Sequence, residues 1–113
     1  MSAPAAVSRK RTATDLFEVR VVTFEVPLHV ADQVEEAAEA VAEHARCHEP
    51  GTRLFAVMRE EGSPGRFLCA AVFDDDEAER RHRHSAPARR LATVLLAVGV
   101  RPESPRWTGV AGI

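Results

Sequence analysis

This 113-residue chain contains no tyrosine and no asparagine. A tyrosine phenol or an asparagine carboxamide therefore cannot belong to any site it builds. Cysteine is scarce: Cys47 and Cys69 are the whole supply. Two thiols are too few for a disulfide framework, and reduced thiols in a cytoplasm are the expectation. There is one tryptophan, Trp107, and one lysine, Lys10, against 14 arginines. The arginines are balanced by acidic residues. A net charge of −2 and a pI near 6.2 give no general attraction to nucleic acid. Long apolar runs are also missing. The most apolar stretch, Leu91 to Val100, is far short of the roughly 20 residues a membrane span needs, so no membrane partner is expected. Arg9, Lys10 and Arg11 are not followed by the apolar core of a secretory signal.

What is present fits one globular domain: 45% hydrophobic and 28% charged residues leave enough apolar material for a single core. Residues 1–15 are rich in Ser, Ala, Thr and Pro without periodicity and read as a flexible tail. Residues 16–113 form the domain.

Leu16 to Val26 alternates as a strand, but its apolar phase flips near Val21 and Val22. A bulge there, or burial on both faces, accounts for the flip. A helix opening at His29 or Asp32 runs to about His48, with Val30, Val34, Ala37, Ala38, Val41 and Ala45 at three- and four-residue steps. Pro50 and Gly51 end it. Arg53 to Arg59 and Phe67 to Phe73 read as strands joined by a turn over Glu61 to Gly65. Both are apolar on both faces. Two helices can cover one face; the other requires a partner sheet, a ligand, or both. Asp74 to His84 reads as a charged helix with an acidic start. Ser85 and Pro87 open the next helix, whose stripe is Leu91, Val94, Leu95 and Val98, and Gly99 stops it. A short last strand lies within Arg106 to Ile113. The order β-α-β-β-α-β is the ferredoxin-like α+β arrangement.

Glu49-Pro50-Gly51 after the first helix, Pro64-Gly65-Arg66-Phe67 leading into the third strand, and Asp74 to Ala78 followed by His82 and Ser85 occur in a set order. In that order the chain resembles the antibiotic biosynthesis monooxygenase-like family of dimeric α+β barrels, over roughly Phe17 to Ile113. The resemblance implies a homodimer with sheets packed face to face and a cavity in each protomer. It also implies oxygenation of an aromatic or polyketide-type small molecule by O2 in secondary metabolism, with no cofactor.

Such chemistry needs a group that takes a phenolic proton and an apolar slot that excludes water. His82 is the candidate base, because a free imidazole titrates near neutrality; the competing reading is an exposed histidine in a charged helix. His84 can take the role instead, but two residues apart on a helix the two point to different sides. Phe24, Phe55, Phe73 and Trp107 are candidate apolar walls. Arg59, beside Arg20 and Arg106, is a candidate anion partner. The haem-degrading branch of the family uses a His, an Asn and a Trp; Phe73 stands where the Trp would be and there is no Asn, so that set is broken. His44 and His48, flanking Cys47, have metal-ligand spacing without a third ligand. An isomerase or cyclase in the same barrel, and a non-catalytic accessory protein that binds a metabolite, are the rival functions.

Overall fold

The computed structural model describes residues 17–101 and residue 107. Strand β1 (Glu18–Glu25) is followed by helix α1 (Leu28–His48), strands β2 (Thr52–Glu60) and β3 (Ser63–Phe73), and helices α2 (Asp76–Arg83) and α3 (Ala86–Ala97). The sheet order is β1-β3-β2, with both neighbours antiparallel to β3. This is the ferredoxin-like α+β fold. The tail of residues 1–15 lies outside the described residues, as does the predicted last strand apart from Trp107.

The bulge suggested for β1 is absent. Its pairing with β3 runs unbroken from Glu18 opposite Phe73 to Glu25 opposite Arg66. The phase flip reflects burial on both faces: Val19, Val21, Val22 and Phe24 are all partly buried. The irregularities lie in β2 instead, between Thr52 and Leu54 and between Arg59 and Glu60. The hairpin turn is also tighter than expected. Glu60 pairs with Ser63, so only Glu61 and Gly62 turn. Gly62 takes φ +87°, a left-handed value that costs a residue without Cβ little.

Register sorts the side chains into two faces. On one lie Phe24, Phe67 and Arg59; then Val22, Cys69 and Val57; then Arg20, Ala71 and Phe55. This face meets the helices. Phe67 and Val34 are almost fully buried together with Ala31, Val26 and Leu95, and Leu91, Val94 and Val98 pack against that cluster. The small side chains Ala31, Ala37, Ala38 and Ala45 keep α1 close to the rest of the core. On the opposite face lie Thr23, Leu68 and Met58; then Val21, Ala70 and Ala56; then Val19, Val72 and Leu54. No described helix covers it, and Leu54 and Met58 are each 47% exposed.

Helix α3 begins as the sequence suggests, while α2 starts at Asp76 rather than at Asp74. Asp75 caps α2 by accepting a hydrogen bond from the Ala78 N–H at 2.8 Å. Ser85 caps α3 by accepting from the Ala88 N–H at 3.3 Å. Helix α1 starts at Leu28, before His29, and has no side-chain cap. Among the described residues no helix is long and apolar enough to cross a membrane.

Candidate active site

The Glu49-Pro50-Gly51 turn carries the chain from α1 to the start of β2. Glu49 is the residue after the last turn of α1, and its N–H donates to the Ala45 carbonyl at 3.1 Å. Its side chain points inward and is 9% exposed. One oxygen, Oε1, lies 2.7 Å from His82 Nδ1 and accepts from the Thr52 hydroxyl at 2.8 Å. The other, Oε2, is buried without a hydrogen-bond partner and lies 3.4 Å from His44 Nε2.

His82 is the buried polar residue of the described core, 8% exposed. The competing reading of an exposed histidine is overturned, and the reason is helical phase. On α2 the flanking arginines turn outward to pair with Glu77 and Glu79, while Ala78 and His82, four residues apart, face the sheet. The His82 ring sits 5.1 Å from the Phe55 ring and 5.0 Å from the Phe73 ring, centre to centre. A carboxylate on one nitrogen and two tilted aromatic rings against it orient this imidazole and screen it from water.

Between α1 and the β2–β3 hairpin lies a cavity of about 340 Å³, which Phe55 lines and His82 does not. Phe55, Val57, Arg59 and Phe67 line it from the sheet, and Glu35 and Ala38 from the helix. Phe55 belongs both to this cavity and to the His82 surroundings. The size falls within the roughly 300–1,000 Å³ of small-molecule sites.

The sequence model of the antibiotic biosynthesis monooxygenase family matches residues 19–93. The chain belongs to this family. Solved structures with the same fold include provisionally named antibiotic biosynthesis monooxygenases. One, from Bacteroides thetaiotaomicron, is 14% identical with TM-score 0.77, covering 88% of this chain and 95% of that one. Another, from Nitrosomonas europaea, is 17% identical with TM-score 0.73, covering 84% and 91%. A third, from Deinococcus radiodurans, is 18% identical with TM-score 0.70, covering 84% and 94%. No curated protein matches the sequence.

Within this family member the other expected site residues are spread out. Phe55 and Phe73 converge on His82. Phe24 stacks on Phe67 at 5.4 Å, at the far end of the same face. Arg59 faces α1, where Glu35 at 2.8 Å and Asp32 at 3.2 Å hold it. The Glu35 hydrogen bond, ahead of opposing desolvation, raises its pKa further. His84 caps the end of α2, exposed, beside a surface cleft of about 490 Å³ that His44, His48, Arg80 and Arg81 also line. Trp107 is 56% exposed and Arg106 lies outside the described residues. Arg20 lies on the His82 side of the sheet and pairs with Glu18 at 2.9 Å. Among the described residues no three His, Cys, Asp or Glu side chains converge as a metal site. Burial pushes the Cys69 thiol up to about 11, as suits an inert core cysteine.

The residue that sequence reasoning passed over is Glu49, read only as part of a turn. Its spacing from His82 is 33 residues, which no local pattern reveals.

Gly51 explains how α2 comes so near. A Cβ there would lie 2.6 Å from the Ala78 Cβ. The Asp74 N–H also donates to the Gly51 carbonyl at 2.8 Å, tying the turn to the end of β3. Gly51→Ala is therefore expected to push α2 off the turn and to lower stability by about 1–3 kcal/mol, read by urea denaturation. An unchanged midpoint would mean that this close contact is not needed.

Proposed function

We propose that this protein is a cofactor-independent monooxygenase that oxidises a small aromatic or polyketide-type phenol with O2, in secondary metabolism. The observation that carries the reading is the buried His82, bound through Nδ1 to Glu49 and flanked by Phe55 and Phe73. Its Nε2 has no hydrogen-bond partner among the described residues and is left as the proton acceptor.

In this reading the substrate's rings lie over Phe55 and Phe67 in the cavity below α1. Nε2 of His82 takes the phenolic proton, which makes the ring electron-rich enough to reduce O2. A C–O bond forms at the ring carbon opposite the phenolate, giving a peroxide that takes back the His82 proton. Elimination of water, which removes the hydrogen on that carbon, leaves the quinone. One oxygen atom of O2 stays in the product and the other leaves as water. Aromatic walls keep bulk water from the anion.

The proposal includes a homodimer, built through the uncovered sheet face of Leu68, Met58, Ala70 and Val72. A face that apolar on an isolated chain marks an association surface. It also includes a cytoplasmic setting, which the free Cys47 and Cys69 support.

The test is anthrone, a tricyclic compound whose tautomer is a phenol. The expected result is one O2 consumed per anthraquinone formed, above the uncatalysed rate, by protein freed of metal with a chelator. The same His–Glu pair also serves the proton shifts of an isomerase or cyclase. Conversion of a candidate metabolite without O2 uptake would move the assignment there; tight binding without conversion would point to an accessory protein.

A further inference from the structure

We propose that Glu49 is a positioning residue for His82, fixing which ring nitrogen acts as base, and that His44 holds Glu49 in turn. The inference rests on the reading of His82 as the base.

A neutral imidazole has two tautomers, and only the nitrogen without hydrogen accepts a proton. A carboxylate 2.7 Å from Nδ1 accepts from that atom only if the hydrogen is there. Glu49 therefore selects the Nδ1–H form and leaves the Nε2 lone pair for substrate. When Nε2 takes a proton, the same carboxylate stabilises the imidazolium.

Glu49 is itself held for this task. Its backbone closes α1, and Thr52 donates to the same oxygen that His82 uses. The second oxygen breaks the usual pattern: a buried carboxylate oxygen with no hydrogen bond costs stability. His44 Nε2, five residues earlier on α1, lies 3.4 Å from it, at ion-pair distance. The His44 side chain is 32% exposed and opens on the surface cleft, while the His82 side chain is 11% exposed. Glu49 thus lies between a wet histidine and a dry one, and its orientation decides what the dry one can do.

Two readouts test this on the full chain. The first is the His82 tautomer, read from long-range proton–nitrogen spectra of the neutral ring in nitrogen-15-labelled protein. Wild type should show Nδ1–H. Glu49→Gln, with an amide that can donate as well as accept, should convert a large fraction to Nε2–H. His44→Ala should shift the populations in the same direction by less. Thr93→Val, which removes an exposed hydroxyl that donates to the Arg89 carbonyl on α3, should leave the tautomer as it is. The second readout is anthrone turnover, where Glu49→Gln should lower kcat by roughly 10- to 100-fold, with KM within about twofold.

An Nε2–H tautomer in wild type, or the same tautomer in wild type and Glu49→Gln, would overturn the proposal. So would an equal shift in Thr93→Val, because that marks general loosening. An unchanged His44→Ala spectrum would remove His44 from it. If wild type does not oxidise anthrone, the monooxygenase reading fails on this substrate, and the spectra still decide the positioning role.

Discussion

Anthrone oxidation is expected to fall by roughly 10²- to 10⁴-fold when His82 is replaced by alanine, the range that loss of a positioned base produces. His82→Gln should fall as far while filling more of the space. The argument is local. His82 is buried against Phe55 and Phe73, and Glu49 holds its Nδ1. The other histidine of the same segment, His84, is exposed at the end of α2, where the side chain has no such carboxylate. His84→Ala is therefore expected to change kcat by less than about twofold, and it serves as the control. Stability has to be followed alongside, since deleting a buried ring costs packing. His82→Ala is expected to lose about 1–3 kcal/mol, which circular dichroism under urea would report. Wild-type turnover in His82→Ala would remove His82 as the base and leave the cavity to binding alone.

The second large effect concerns assembly. Leu68→Asp is expected to convert a dimer into a monomer, measured by light scattering on a sizing column. Leu68 sits in the middle strand, opposite Thr23 on one side and Met58 on the other. Its neighbour Phe67 is 1% exposed under the helices, so the alternation of a strand sends Leu68 to the uncovered face, where it is 36% exposed. In a two-fold interface the substitution appears twice, and each carboxylate would be desolvated without a partner. A typical stable interface buries about 800 Å² per partner, an area a three-strand face can supply. Ser or Thr at the exposed Arg46 should leave the mass unchanged. A wild-type monomer at micromolar concentration would refute the face-to-face arrangement, and the apolar face would then need another occupant.

Period and punctuation made most of the fold legible. The three- and four-residue recurrence from Val34 to Ala45 marked α1, and those residues are buried. Ser85 with Pro87 set the start of α3, and Gly99, at φ +83°, marks its end. Apolar residues on both faces of β2 and β3 already required two coverings for the sheet. The details that failed were matters of pairing. A bulge in β1 and a two-sided strand give the same apolar pattern, and only the unbroken register with β3 separates them. The turn at Glu61 and Gly62 is shorter than the sequence suggests, because Pro64 and Gly65 look like turn residues but lie in β3. Gly65 is there for closeness: its carbonyl accepts from the Val26 N–H at 2.9 Å, and a Cβ would meet the Val26 oxygen at 2.5 Å.

For the site, the chain by itself determined the inventory. With no tyrosine, one lysine and two cysteines, the candidate bases are mainly the five histidines and the carboxylates. The order of motifs singled out His82. The tertiary structure decided the partnership. Only folding brings Glu49, at the end of α1, against His82 on α2, with Phe55 and Phe73 from two strands closing around the ring. It also turned Arg59 toward Asp32 and Glu35, 27 and 24 residues away, where sequence offered it as an anion partner. Composition and spacing are local quantities along the chain. Which donor meets which acceptor depends on contacts between distant segments, and burial decides how strongly each pair acts.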